Sequence, residues 1–376
     1  MILRIYILKD WSYGMKKFLS TLGMALIGGV FGGTLMLAIL SQEWSITNFL
    51  IGIICLIAFY VVHIILHEAG HLIFGKLTGY SFVSFRVFSW TIVATNDGLK
   101  WKKLHVPGTL GQCLMAPPPY VEGKFPFKLY LCGGVIINFL SSAVVGGIAW
   151  IVSGAAFPLP VTLFVLIGLF IGVTNIIPYG FNDGMSLKMA WSQEKKQWQL
   201  YSQFYSYAQT SKGVSYQELP KELFILPDGD DGSDYFSQWT LCMQQVLAME
   251  RLDFEEAKRI NDMLWARKDE LISLFRVEVA KERLFLLTVL EGDMEEVRSI
   301  YQDKEIKRFL AIKQMSNKRI AAAYELYVNG DRDKAAKLCE EGAKLEKSNP
   351  NATDIVLEKR LMAVLLGDVD EVGGVS

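Results

Sequence analysis

Between Phe18 and Leu66 the chain carries a single charged side chain, Glu43. A helix needs only about 20 apolar residues to cross a bilayer, so this stretch can hold two crossings. Four segments meet that requirement: Phe18–Leu40, Phe49–Phe74, Leu129–Val152 and Leu159–Pro178. The first follows Lys16 and Lys17, as a secretory leader would, but its apolar run is too long for a cleavable one and it reads as a span. Its glycines Gly28, Gly29, Gly32 and Gly33 suit close helix packing. From Lys188 onward Lys, Glu and Asp become frequent, which predicts a water-soluble half after a membrane half.

Lys and Arg set the direction of the spans. Arg4, Lys9, Lys16 and Lys17 precede the first, and Ser41–Asn48 has neither residue type. Lys76, Arg86, Lys100, Lys102, Lys103, Lys124 and Lys128 fill the middle loop; Ser153–Leu159 is uncharged, and Lys188, Lys195 and Lys196 follow the last span. The bias alternates without exception. A multi-pass protein of the cell membrane is expected, with both termini and the middle loop cytoplasmic. The net charge of −1 offers nothing to a phosphate backbone, so no nucleic-acid partner is expected. Cys55, Cys113, Cys132, Cys242 and Cys339 form no C-x-x-C pair, which argues against a disulfide framework and a cysteine metal site.

The second span ends in His67-Glu68-Ala69-Gly70-His71, an H-E-x-x-H pattern. Positions i and i+4 share a helix face, so both imidazoles can hold one zinc, with Glu68 beside them to take a proton from water. In an apolar helix such ionisable groups are costly and usually functional. His63 lies on the same face, but about 12 Å of helix separates it from His71, too far to share one ion. It reads as a buried, hydrogen-bonded histidine near the site. The remaining histidine, His105, falls in the middle loop.

A catalytic zinc usually takes three protein ligands, and the best third candidate is Asp183 in Asn175-Ile-Ile-Pro178-Tyr-Gly-Phe-Asn182-Asp183-Gly184. Counted inward from Lys76, His71 is about 7 Å deep and His67 about 13 Å; counted from Lys188, Asp183 is again about 7 Å deep. Pro178, Gly180 and Gly184 would break the helix and let Asp183 turn inward, although Asn-Asp-Gly also makes an ordinary turn. In the third span, Gly133-Gly134-Val-Ile-Ile-Asn138 puts Asn138 about 15 Å deep, near His67. Its amide could bond a developing oxyanion or the substrate backbone, or simply join two helices, and Asn175 allows the same two readings.

H-E-A-G-H closing one span, G-x-x-x-N in a later one and N-x-x-P-x-x-x-x-D-G in the last together resemble the site-2 protease family of intramembrane zinc peptidases. The likeness covers roughly Ile46–Leu187. It implies one zinc per chain on His67, His71 and Asp183, Glu68 as general base, and cleavage of membrane-spanning or membrane-associated polypeptides.

Tyr80–Lys103 is rich in Phe, Val, Ser, Trp and Thr, with a turn signal at Asn96-Asp97-Gly98, and predicts a β-hairpin of Phe82–Ala94 with Leu99–Leu104. The likeness supports a sheet here, whose exposed edge could hold an extended substrate; the alternative is a hairpin that only covers the site. Gly108–Pro119, ending in three prolines, reads as a re-entrant or interfacial loop. Leu226–Asp234 reads as a linker whose acidic spacing faintly resembles a calcium loop, but its twelfth position is Trp239 rather than Glu.

Beyond it a repeat recurs every 37–40 residues: Leu252-Asp253, Gly292-Asp293, Gly330-Asp331 and Gly367-Asp368 each precede a helix-starting run. This resembles tetratricopeptide-like helical pairs, which offer concave surfaces to a cytoplasmic partner or substrate, unless the tail only stabilises. The chain therefore reads as an α-helical membrane protein with about four transmembrane helices and a short β-hairpin insertion, followed by a cytoplasmic all-α helical-repeat domain. The expected bounds are 1–187 for the membrane-embedded peptidase, 188–234 for a helical connector and linker, and 235–376 for the repeats. A catalytically silent receptor built around the tail competes with this reading, but the intact Glu68 argues against it. A permease would need charged path-lining residues that the outer halves of the spans lack.

Overall fold

The computed structural model describes residues 2–40, 45–95, 98–104, 106, 109–154, 157–230 and 232–367, with the side chains of the first helix described from Thr21. The chain divides into two compact units: Met1–Thr78 with Pro126–Met189, and Gly79–Phe125 with Ala190–Ser376.

The first unit is built from α1 (Ile2–Leu40), α2 (Ile46–Leu77), α3 (Phe127–Ser153), α4 (Leu159–Ile176) and the start of α5 (Asp183–Ser192). Thr21–Leu40, Ile46–Leu77, Phe127–Ser153 and Leu159–Ile176 are long and apolar enough to cross a membrane. Their outer faces carry exposed aliphatic side chains such as Val30, Ile54, Ile57, Ile148 and Ile151. Apolar outward faces of this kind suit helices that cross a membrane.

Ser45 caps α2 by accepting a hydrogen bond from the Asn48 backbone N–H. The helix then runs for 32 residues, about 48 Å at 1.5 Å per residue, longer than the apolar thickness of a bilayer. Helix α2 packs against α3 and α4, and α1 leans on α4 through stacked Phe31 and Phe170. The α2–α3 crossing is closest where Gly70 faces Gly133, whose backbones leave no room for a side chain on either.

The second unit begins with a four-stranded antiparallel sheet in the order β3-β2-β1-β4: β1 (Ser81–Val87), β2 (Trp90–Thr95), β3 (Gly98–Lys103) and β4 (Gly111–Ala116). The expected hairpin is only half of it. Strand β2 pairs with β3, Thr95 opposite Gly98, across the anticipated turn, of which Asn96 and Asp97 lie outside the described residues. The long first arm, however, is broken at Phe88-Ser89 into β1 and β2. Phe88 adopts φ +54°, and the buried Arg86 holds the corner by donating to the Phe88 and Thr109 carbonyls. The stretch expected as a loop through Pro119 contains β4, which pairs with β1 and packs against α6 (Glu194–Thr210).

Helices α7 (Tyr235–Glu250) and α8 (Phe254–Trp265), α9 (Ser273–Val289) and α10 (Met294–Gln302), and α12 (Met315–Tyr327) and α13 (Arg332–Ala343) form successive pairs. A short α11 (Lys304–Leu310) sits between the second and third, and α14 (Ala352–Leu366) follows. Each repeat aspartate caps the second helix of its pair: Asp253, Asp293 and Asp331 accept backbone N–H bonds from that helix's first turn. The fourth turn is described only to Gly367, which ends α14 at φ +85°; Asp368 lies outside the described residues.

The array closes on itself. The Thr353 hydroxyl at the start of α14 lies 3.0 Å from the Thr210 carbonyl and 2.7 Å from that of Val214. Asn351 donates to the Thr210 hydroxyl and Arg360 to the Glu250 carbonyl. The segment read as a linker is tied down too. Asp230 and Asp234 both pair with the buried Lys196 of α6, and Asp234 caps α7. Both carboxylates are engaged by Lys196, and Asp234 also by the first turn of α7, which removes the resemblance to a calcium loop.

Candidate metal centre

One turn of α2 separates His67 from His71, so their rings point to the same side, with centroids 4.9 Å apart. Both are buried to 7 % exposure, and Glu68 between them to 9 %. What brings α3 close enough to enclose them is the absence of a side chain at position 134. A Cβ there would lie 2.5–2.6 Å from three atoms of the His67 ring.

Asn138 of α3 fixes the orientation of two histidines. Its Nδ2 donates to the His63 carbonyl at 3.1 Å, and a carbonyl can only accept, so the amide has one possible orientation. Nδ2 also donates to His63 Nδ1 at 3.1 Å, and His63 Nε2 in turn donates to the Phe164 carbonyl at 2.9 Å. The Asn138 Oδ1 therefore faces His67 Nδ1, 2.8 Å away, and that nitrogen must carry the proton. The same logic holds for His71, whose Nδ1 donates to the Tyr130 carbonyl at 2.8 Å. With both Nδ1 atoms protonated, the Nε2 lone pairs of His67 and His71 are directed inward.

Asp183 completes the group. Helix α4 ends at Ile176, and the chain turns through Pro178 and Gly180 before α5 begins at Asp183 itself. Asn182 holds that turn. Its Nδ2 donates to the Thr174 and Ile177 carbonyls at 2.8 and 2.7 Å, and its Oδ1 accepts from the Met185 and Tyr179 backbone N–H groups. Asp183 Oδ2 then lies 3.0 Å from His67 Nε2 and 3.3 Å from His71 Nε2, and the two nitrogens are 3.2 Å apart.

In the neutral imidazoles, three acceptor atoms thus face one another without a proton assigned to any edge. A single proton would answer one edge of this triangle; a divalent cation at its apex answers all three. A tetrahedral zinc with bonds of about 2.0–2.1 Å sets its ligands about 3.3–3.4 Å apart, close to the observed edges. The donor set, two imidazoles and one carboxylate, suits zinc.

The other residues picked from the sequence fall as follows. His63 is part of the hydrogen-bonded support and not of the triangle, as its distance along the helix required. Asn138 occupies the interhelical position, with both ends of its amide engaged by histidines. Asn175 donates to the Ile171 carbonyl of its own helix at 2.9 Å. His105 lies outside the described residues. Motif spacing did not single out Asn182, although an asparagine just ahead of a helix start is a capping signal. Nothing in the sequence pointed to the Tyr130 carbonyl.

Comparisons of the chain with protein-family models and with curated proteins, and of its fold with solved structures, return no match.

Proposed function

We propose that this chain is an intramembrane zinc metalloendopeptidase of the site-2 protease type, hydrolysing peptide bonds of membrane-spanning or membrane-associated polypeptides. The observation that carries the reading is the triangle of His67 Nε2, His71 Nε2 and Asp183 Oδ2, with edges of 3.0–3.3 Å and both imidazoles held in the ligating tautomer. His67, His71 and Asp183 would hold one zinc. When bound, it supplies Lewis acidity: it polarises the scissile carbonyl and makes water acidic enough to give up a proton near neutral pH.

Glu68 accepts the proton of the attacking water and returns it to the leaving amine, so it serves first as general base and then as general acid. Asn138 and the Tyr130 carbonyl position the two imidazoles; hydrogen-bonded partners of this kind raise ligand basicity and fix ring orientation. Burial excludes bulk water, which strengthens every electrostatic interaction at the site. The alternation of Lys and Arg between spans supports cytoplasmic termini, which would place the helical array in the cytoplasm, where a protein partner could meet it.

Elemental analysis of bound zinc in the detergent-purified chain tests the reading. About one zinc per wild-type chain, sharply reduced by Asp183→Ala, is expected. The variant Glu68→Gln should keep zinc and lose cleavage of a membrane-anchored reporter. Undiminished cleavage by that variant would refute the mechanism, and a wild type without zinc would refute the assignment of the site.

A further inference from the structure

The helical array encloses a second site, distinct in chemistry from the metal centre. The first helices of the pairs, α7, α9 and α12, together with α14, line a cavity of about 390 Å³. Its volume falls within the roughly 300–1,000 Å³ of ligand pockets, enough for one or two residues of a peptide. The apolar wall comes from Trp239, Met243, Met249, Phe275, Met315 and Leu357. Methionines adapt to varied apolar side chains, and aromatic faces accept a cation.

The charges in this wall do not balance. Glu278, Glu282, Asp354 and Glu358 line the cavity against Arg319 and Lys313. Lys281 pairs with Glu278. Glu282 and Glu358 share the single guanidinium of Arg319, which is 1 % exposed and stacks over Phe285 at 4.1 Å. One oxygen of Glu282, Oε2, is buried without a hydrogen-bond partner. Asp354 receives only the Tyr216 hydroxyl at 2.7 Å and, among the described residues, has no cationic partner. Burial, together with the neighbouring Glu358 and Glu250, pushes its carboxyl up to about 7 although the Tyr216 hydroxyl pulls the other way. A buried carboxylate excess of this kind is costly unless a positive charge is supplied.

We infer that this cavity binds a peptide, seating one basic side chain of an otherwise apolar, extended segment against Asp354 and the Glu282–Glu358 pair. A polyamine would answer the charge but leave Trp239, Phe275 and the methionines without a partner. An acidic segment would add to the excess. No part of the inference requires hydrolysis at the metal centre, so Glu68→Gln should leave the binding unchanged, and the two assignments fail separately.

Calorimetric titration of the full-length chain in phosphatidylcholine nanodiscs, with empty nanodiscs as blank, tests it. The probes are the capped pentapeptide Leu-Lys-Leu-Lys-Leu, its counterparts with Gln or Glu in place of Lys, and spermine. The lysine peptide should bind at least tenfold more tightly than the glutamine peptide and than spermine, and the glutamate peptide should not bind. The variant Asp354→Asn still accepts the Tyr216 hydrogen bond, so the fold is preserved, and the lysine peptide's advantage should fall to less than threefold. Equal affinity for the lysine and glutamine peptides, preference for glutamate, spermine matching the lysine peptide, or an advantage untouched by Asp354→Asn would each overturn the proposal. The peptide series needs no variant, so it decides even if the substitution harms folding.

Discussion

Adding one methyl group at position 134 tests whether the α2–α3 approach is what shapes the metal centre. A Cβ there would stand 2.5 Å from His67 Cε1 and 2.6 Å from both ring nitrogens, whereas ordinary contact begins at 3.4 Å. The ring or the whole of α3 must therefore retreat by about 0.9 Å in a core that is close-packed. Metal–ligand distances tolerate only about 0.2 Å. The retreat also stretches the 2.8 Å bond between Asn138 Oδ1 and His67 Nδ1 that fixes the tautomer. Gly134→Ala should thus weaken zinc binding at least tenfold, about 1.4 kcal/mol or more. Overpacking should cost stability as well, about 1–3 kcal/mol. Gly147→Ala on the same helix is the control, since nothing lies within 4 Å of its added Cβ. Zinc affinity is read by competition with a chelating dye on the detergent-solubilised chain. An affinity for Gly134→Ala within twofold of wild type would refute the claim that this contact sets the geometry.

Three further outcomes are expected. Asn138→Ala should lower zinc affinity about 10- to 100-fold in the same assay, as loss of a ligand's supporting bond does, whereas Asn175→Ala should leave it unchanged; equal effects would show that neither amide positions a ligand. Arg319→Ala leaves Glu282 and Glu358 buried without their cation, a loss of about 3–5 kcal/mol, visible as a lower unfolding midpoint; an unchanged midpoint would mean that both carboxylates are solvated. The Asp354 carboxyl, pushed up to about 7 in the folded chain, sits above its unfolded value of about 3.9, so its protonated form favours folding. The stability it contributes is complete at acid pH and is lost as pH rises through 7. Wild type should therefore lose melting temperature relative to Asp354→Asn between pH 5 and pH 8, and parallel curves would contradict the shift.

The parts of this protein governed by local periodicity were legible in its sequence. His67 and His71 were placed on one face by helix geometry alone, and matched depth brought Asp183 to the same level. The four long apolar helices followed from apolar length, and the repeat turns from Asp caps. Long-range contacts were not legible. The corner at Phe88-Ser89 carries no Gly, Pro or Asn, and is held by Arg86 reaching to Thr109. Strand β4 lies in a Gly-Gln-Cys-Leu-Met-Ala run without the alternation that marks a strand, ahead of three prolines. In the second repeat the left-handed position is taken by Glu291 at φ +50°, not by Gly292 as its sequence suggests. The orientation of the Asn138 amide depends on the His63 carbonyl, a backbone group to which no side-chain pattern points.

Closure of the array onto α6 changes how this unit should come apart. An open stack of helical pairs behaves as a chain of nearest neighbours and can fray from either end. Here the helix after the last pair is fastened to the helix before the first, through Thr353 and Thr210, more than a hundred positions apart along the chain. Fraying at α14 would also release the bond from Arg360 to the Glu250 carbonyl at the end of α7, part of the same seam, since the Glu250 carboxylate accepts from the Ser215 hydroxyl and the Tyr216 N–H. Such a ring has a seam instead of two ends: its most separated contacts must form last and at the greatest entropic cost, so the unit should melt in one step and fold more slowly than an open array of equal length.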